Sequence, residues 1–187
     1  MQLDWDEHLR EIVIPAWQAY GEAEQRLTDA VKAGDEEWTR RAGYDALREG
    51  GAATFYVHHF AEVVLRARPD WLPCRTLGET RSWLASHCTM LRSNDLVADV
   101  ALLGDVADAL KHSILSYRAR EVSASEEVLV VKSGYGVLGF GDGKYGGTPQ
   151  VLVLANSGPR ALSSVLQNVV DAWRKAARLE LPAIGAP

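Results

Sequence analysis

Histidines and carboxylates occur in two short stretches of the sequence, at spacings that a helix brings onto one face. Together the stretches contain His58, His59, Glu62, Asp105, Asp108, Lys111 and His112. At about 100° per residue, a helix places the two aspartates and the histidine of the second stretch within a stripe roughly 60° wide. Imidazole and carboxylate groups act as general acids and bases, and they bind Zn, Mn and Fe. These residue types therefore indicate acid–base or metal chemistry if the two helices face each other.

Two interpretations of the stretches remain open. In the first, the two polar faces meet in a cleft and form a catalytic site, with or without a metal ion. The spacing identifies no cofactor, because the Glu-x-x-His pair of di-iron bundles is absent. In the second, the side chains satisfy one another through Asp–His and Asp–Lys contacts, and the network is structural. Convergence on a solvent-connected pocket would favour the first interpretation.

A further arrangement that could do chemistry is Arg81-Ser-Trp-Leu-Ala-Ser-His87, in which five residues separate an arginine from a histidine. It resembles the Arg-x(4–6)-His motif of HEPN domains, helical proteins that often act as metal-independent RNases. The resemblance implies that Arg81 and His87 act on an RNA backbone across a dimer. The alternative is an exposed arginine beside a packed histidine.

A longer resemblance begins near residue 50 and covers most of the chain from there. It rests on Ala-Ala-Thr-Phe-Tyr-Val-His58-His59-Phe-Ala-Glu62, on Leu-Leu-Gly-Asp105-Val-Ala-Asp108-Ala-Leu-Lys111-His112, on a glycine-rich segment and on a helix with Trp173. This order resembles a group of uncharacterised bacterial helical-bundle proteins. In that group a helix with an Asp-x-x-Asp/Asn-x-x-Lys-His signature precedes a β-hairpin and a final helix. The resemblance implies the fold and draws attention to the signature residues, but it implies no activity.

Hydrophobic residues recur at helical spacing over most of the chain and predict the helices that carry these side chains. The five predicted helices begin near Trp5, Asp35, Thr76, Ser93 and Gly158. Pro15 interrupts the first helix, which ends at Gly34. Thr76 and Glu79 have the spacing of a capping box at the start of the third helix. The fourth helix is predicted to run through about Tyr117.

Two apolar runs rich in β-branched residues, 126–133 and 150–155, predict strands. The intervening segment is rich in glycine, and Asp142-Gly143 predicts a tight turn. We therefore expect a long two-stranded antiparallel ribbon over about 126–156, inserted before the last helix. Its apolar residues on both faces require cover from the helices or from a second subunit, which favours a homodimer.

Gly134, Gly136 and Gly139 match the G-x-G-x-x-G pattern of phosphate-binding loops. In such loops the third glycine leads into a helix, whose amino end holds the phosphate. More glycines and a turn follow here, so no helix can begin. The sequence therefore disfavours nucleotide binding at this segment.

Composition limits the class of protein. A hydrophobic fraction of 47% is incompatible with a disordered chain, and no run approaches the roughly 18 apolar residues of a membrane span. The amino terminus lacks the pattern of a signal peptide, and Cys74 and Cys88 fit neither a disulfide framework nor a metal site, so we expect a cytoplasmic protein. The net charge of -5 disfavours a nucleic-acid partner. However, residues 1–50 hold 12 acidic and 6 basic side chains, so the rest of the chain is not acidic.

We therefore expect one domain over residues 1–187, of the α+β class and mainly α, with about five helices and the ribbon. Our first functional hypothesis is a non-enzymatic binding or assembly protein that acts as a homodimer. The alternative is an enzyme, either a HEPN-like RNase or a metal-dependent hydrolase. Its candidate residues are His58, His59, Asp105, Asp108, Lys111 and His112, or Arg81 with His87.

Overall fold

The computed structural model describes residues 4–90, 93–112, 121–131 and 148–178. Within these residues the chain forms five helices and one small antiparallel sheet, which confirms the α+β, mainly α class. The helices are α1 (the continuous segments Trp5–His8, Leu9–Val13 and Ile14–Ala33), α2 (Glu36–Ala67), α3 (Leu77–Ala85), α4 (Asp99–His112) and α5 (Leu162–Ala177). The strands are β1 (Val128–Val131), β2 (Gln150–Ala155) and β3 (Gly158–Ala161). None of the helices described is both long and apolar enough to cross a bilayer.

The interruption predicted in α1 is a local change of helix type. The turns are π-helical over Leu9–Val13, immediately before Pro15. Because proline has no backbone N–H, the carbonyl four residues earlier loses its α-helical donor, and a wider turn accommodates that loss. The helix then continues to its predicted end at Gly34, whose φ of 70° is in the left-handed region.

Capping residues fix the starts of α2 and α3 where the sequence predicts them. The carboxylate of Asp35 accepts a 2.8 Å hydrogen bond from the N–H of Trp38. At α3, the Thr76 hydroxyl accepts from the N–H of Glu79, and the Glu79 carboxylate accepts from the N–H of Thr76. This is the predicted capping box, and it orients the short helix that carries Arg81.

The predicted start of the fourth helix at Ser93 is wrong. The helix begins at Asp99, after a turn in which the N–H of Met90 donates a 2.8 Å hydrogen bond to the carbonyl of Asp95. Asn94 has a φ of 59°, a left-handed conformation that cannot continue a right-handed helix. The polar Ser-Asn pair therefore belongs to the turn and not to a helix cap.

The sheet has three strands in the order β1-β2-β3, not the two that we predicted. The first pair is the expected antiparallel ribbon, with Val128 opposite Val153. The third strand replaces the predicted first turn of the last helix, which begins at Leu162 and not at Gly158. Gly158 adopts a φ of 125°, and Pro159, which has no N–H to donate, is tolerated because β3 is an edge strand.

Several predictions from the sequence lie outside the described residues. They are the carboxyl-terminal end of the fourth helix within 113–120, the glycine-rich part of the ribbon with its turn within 132–147, and the tail beyond residue 178. The G-x-G-x-x-G pattern is in the second of these segments. Its exclusion as a phosphate loop therefore stays a prediction from the sequence.

The second helix approaches its neighbours closely near its middle. A Cβ atom at Gly50 would lie 3.0 Å from Leu162 Cδ2 and 3.1 Å from Tyr20 Cε2. Ten residues further along, the ring of Phe60 meets the ring of Trp173 edge to face at 5.1 Å. The core is therefore built where α2 contacts both α1 and α5, and this packing fixes the orientation of α2.

A buried ion pair ties the start of α4 to the last part of the chain. Arg160 Nη2 donates a 2.9 Å hydrogen bond to Asp99 Oδ2, and Arg160 Nη1 lies 2.9 Å from Asp99 Oδ1. The amide of Asn168 donates a 2.7 Å hydrogen bond to the same carboxylate. Burial raises the pKa of Asp99, and the hydrogen bond from Asn168 and the charge of Arg160 oppose that shift. These contacts hold α4, β3 and α5 together.

Candidate functional site

The short helix α3 places Arg81 against the side chain of His58 on α2. Arg81 Nη2 lies 2.9 Å from His58 Nε2. Because a guanidinium group can only donate hydrogen bonds, Nε2 is the acceptor, and the proton of the neutral ring is on Nδ1. This contact joins one member of each of the two candidate sites that the sequence suggested.

Helix α4 completes the surroundings of His58. A Cβ atom at Gly104 would lie 3.0 Å from His58 Cε1, so the glycine provides the space for the ring. Burial is the main cause and the positive charge of Arg81 the second, and together they lower the pKa of His58 to about 4. The carboxylates of Asp108 and Glu62 act in the opposite direction. His58 is therefore neutral near pH 7, and its one acceptor nitrogen is used by Arg81.

The neighbouring histidine has different contacts. His59 Nδ1 lies 2.9 Å from Glu62 Oε1, one turn along α2, and Arg81 Nη2 lies 3.6 Å from the same oxygen. The carboxylate accepts the hydrogen bond, so the proton is on Nδ1 and the tautomer of His59 is fixed. The His59 side chain keeps 33% of its surface accessible, and its hydrogen bond to Glu62 uses Nδ1 and not Nε2.

The structure places the four α4 candidates in different settings. Asp108 is the α4 carboxylate whose charge acts on His58. Asp105 Oδ2 instead accepts a 2.8 Å hydrogen bond from the backbone N–H of Glu121 and so anchors the chain at that residue. Lys111 and His112 are exposed in the last turn of α4, where basic side chains interact favourably with the helix dipole. The residues brought together, which we call the His58 cluster, are His58, His59, Glu62, Arg81 and Asp108.

His87 lies at the end of α3 and is directed to its own helix. Its Nδ1 donates a 3.0 Å hydrogen bond to the carbonyl of Trp83, and its ring packs 4.8 Å from the indole of Trp83. Arg81 hydrogen-bonds to His58 and not to His87. Within one chain, Arg81 and His87 therefore do not form a joint site, and their proposed action across a dimer stays a prediction.

The described residues offer neither a metal-binding group nor an activated thiol. No set of three or more His, Cys, Asp and Glu side chains in the described ranges is arranged to hold a metal ion. In the His58 cluster the guanidinium of Arg81 contacts Nε2 of His58, so this nitrogen is not available to a metal ion. Burial raises the pKa of the Cys88 thiol to about 12, and the charge of Asp99 acts in the same direction. A thiolate nucleophile at Cys88 is therefore excluded near pH 7.

The outer face of α2 carries aromatic side chains that the chain itself leaves exposed. The exposed fractions are 63% for Tyr44, 46% for Phe55 and 39% for Tyr56. The ring of Phe55 lies 4.3 Å from that of His59 and 5.8 Å from that of Tyr56. We call these four residues the α2 aromatic surface. Phe55 contacts both Tyr56 and His59, and such exposed apolar groups in contact are typical of interaction sites, whereas Tyr44 lies about 16 Å further along the helix.

The sequence pattern did not identify this surface or the contact between His58 and Arg81. Tyr56 fits the helical spacing of the core residues, yet it is 39% exposed in the structure. Phe55 precedes it at a position that does not fit the core spacing, and that mismatch is the signal that could have identified the surface. Arg81 is 23 residues from His58 on another helix, and no periodicity within one helix predicts such a contact.

Comparison of the chain with models of protein families, with curated proteins and with solved structures finds no match.

Proposed function

We propose that the protein is a non-enzymatic binding or assembly protein that acts as a homodimer. The observation that carries this proposal is the α2 aromatic surface. Three large rings, those of Tyr44, Phe55 and Tyr56, keep 39–63% of their surface accessible on one helix. Removing such rings from water is favourable by about 1.5–3 kcal/mol for each fully buried side chain. A second protein surface would supply that burial.

The contacts within the His58 cluster favour a structural role for the cluster in a binding protein over a catalytic role. A general base needs a free lone pair that can reach the proton it removes. At His58 that lone pair accepts from Arg81, and the ring is packed against Gly104. The cluster therefore serves to join α2, whose outer face carries the α2 aromatic surface, to α3 and α4.

The molar mass in solution tests the homodimer. Sedimentation equilibrium over a range of concentrations is expected to give twice the 20.5 kDa mass of one chain. Phe55→Ser is expected to raise the dissociation constant at least tenfold, because about half of each ring is accessible in the single chain and two rings lose their contact.

Leu96→Ser is the matched control, since Leu96 is 69% exposed and is not on α2. It is expected to leave the dissociation constant unchanged. A mass of one chain at every concentration would contradict the proposal.

Hydrolysis of RNA is the second candidate function, and the pair of His59 and Glu62 is the observation that favours it. A carboxylate that fixes the tautomer of a partly exposed histidine is an arrangement that positions general bases. Among the described residues, no side chain occupies Nε2 of His59, and the guanidinium of Arg81 lies nearby. The positive charge of Arg81 disfavours a metal ion in the same place, so this candidate is metal-independent.

Cleavage of a single-stranded RNA by the purified protein tests the second candidate. His59→Ala is expected to reduce the rate about 100-fold if His59 is the base, whereas His87→Ala, which changes the HEPN-like motif, is expected to leave it unchanged. A rate that falls with His87→Ala and persists with His59→Ala would favour the HEPN-like motif instead. The absence of cleavage by the unchanged protein would exclude the candidate.

A further inference from the structure

We draw no further inference here: the strongest candidate, the basic cleft that Asp171, Arg174, Lys175 and Arg178 form at the carboxyl-terminal end of α5, carries none, because Arg174 already pairs with Asp171 and Lys175 with the hydroxyl of Thr89, and nothing among the described residues shows what anion the cleft would hold.

Discussion

His58 and His59 are adjacent in the sequence and face different surroundings. His58 is packed between three helices, and its acceptor nitrogen is occupied by Arg81 at 2.9 Å. His59 is about 100° further around α2, pairs with Glu62 and contacts the exposed ring of Phe55. The two imidazoles are chemically identical, so their positions around α2 decide their contacts: His58 is on the inner side, towards α3 and α4, and His59 is on the outer side.

The inner side is expected to respond most strongly to pH, through His58. Its pKa is about 4 in the folded protein and near 6.5 in the unfolded chain, so the unfolded chain binds more protons between these values. Stability is therefore full above about pH 6.5 and falls as the pH drops towards 4, by at most about 3 kcal/mol. Urea denaturation at several pH values measures this loss.

The matched variants for this prediction are His58→Gln and His59→Gln. The first removes the half-buried ring that titrates and is expected to flatten the pH dependence of the free energy of unfolding. The second leaves His58 in place and is expected to keep most of the pH dependence of the free energy of unfolding. An equal pH dependence in both variants would contradict the division between the two sides.

The packing of α2 against the core is expected to be the next most sensitive feature. Gly50→Ala places a methyl group 3.0 Å from Leu162 Cδ2 and about as close to the ring of Tyr20, and is expected to destabilise the fold by about 1–3 kcal/mol. Gly21→Ala on α1 is the control, because a Cβ atom there has no neighbour within 4 Å. It is expected to stabilise the fold by about 0.5–1 kcal/mol, since alanine favours the helix. Thermal unfolding compares the two variants. Changes in melting temperature with the same sign in both would contradict the close approach at Gly50.

Loss of Arg81 is expected to have a smaller effect on stability, about 1 kcal/mol, because its side chain is one-third exposed. Arg81→Ala also removes the charge that lowers the pKa of His58, so that pKa is expected to rise. An NMR titration of the imidazole signals measures the shift. Arg66→Ala, an exposed arginine on the outer side of α2, is expected to leave the pKa of His58 where it is.

The outer side is expected to contribute least to the stability of one chain. Tyr44→Ser removes a ring that is 63% exposed and is expected to change the free energy of unfolding by less than about 0.5 kcal/mol. The measurement is urea denaturation at a concentration at which the chain is monomeric. A loss above 1.5 kcal/mol would show that the ring supports the fold.

The elements that local chemistry specifies could be predicted from the sequence. Gly34 ends α1, and Thr76 with Glu79 starts α3, because each needs only residues that are next to it in the chain. The start of α4 and the third strand could not be predicted, because the local sequence at each fits two different structures. Ser93-Asn94 has the composition of a helix cap and of a turn, and Gly158-Pro159 has the composition of a helix start and of an edge strand.

The candidate site could be predicted only in part. Helical spacing put His58 and Glu62 on one helix and Asp108 on another, but it could not state which pairs meet. The contact of His58 with Arg81 depends on how α3 docks against α2, which the packing of the whole bundle decides. The role of Asp105 depends on the chain after α4, whose backbone N–H at Glu121 returns to it.

We propose that the outer side of α2 forms the dimer contact, whereas the hydrogen bond of His58 is made to Arg81 of the same chain. An NMR dilution series that follows the imidazole signals of both histidines tests these two statements together. The His59 signals are therefore expected to shift as the dimer dissociates, and the His58 signals to stay in place. Signals of His58 that move together with those of His59, or signals of His59 that do not change while the molar mass falls by half, would contradict the proposal.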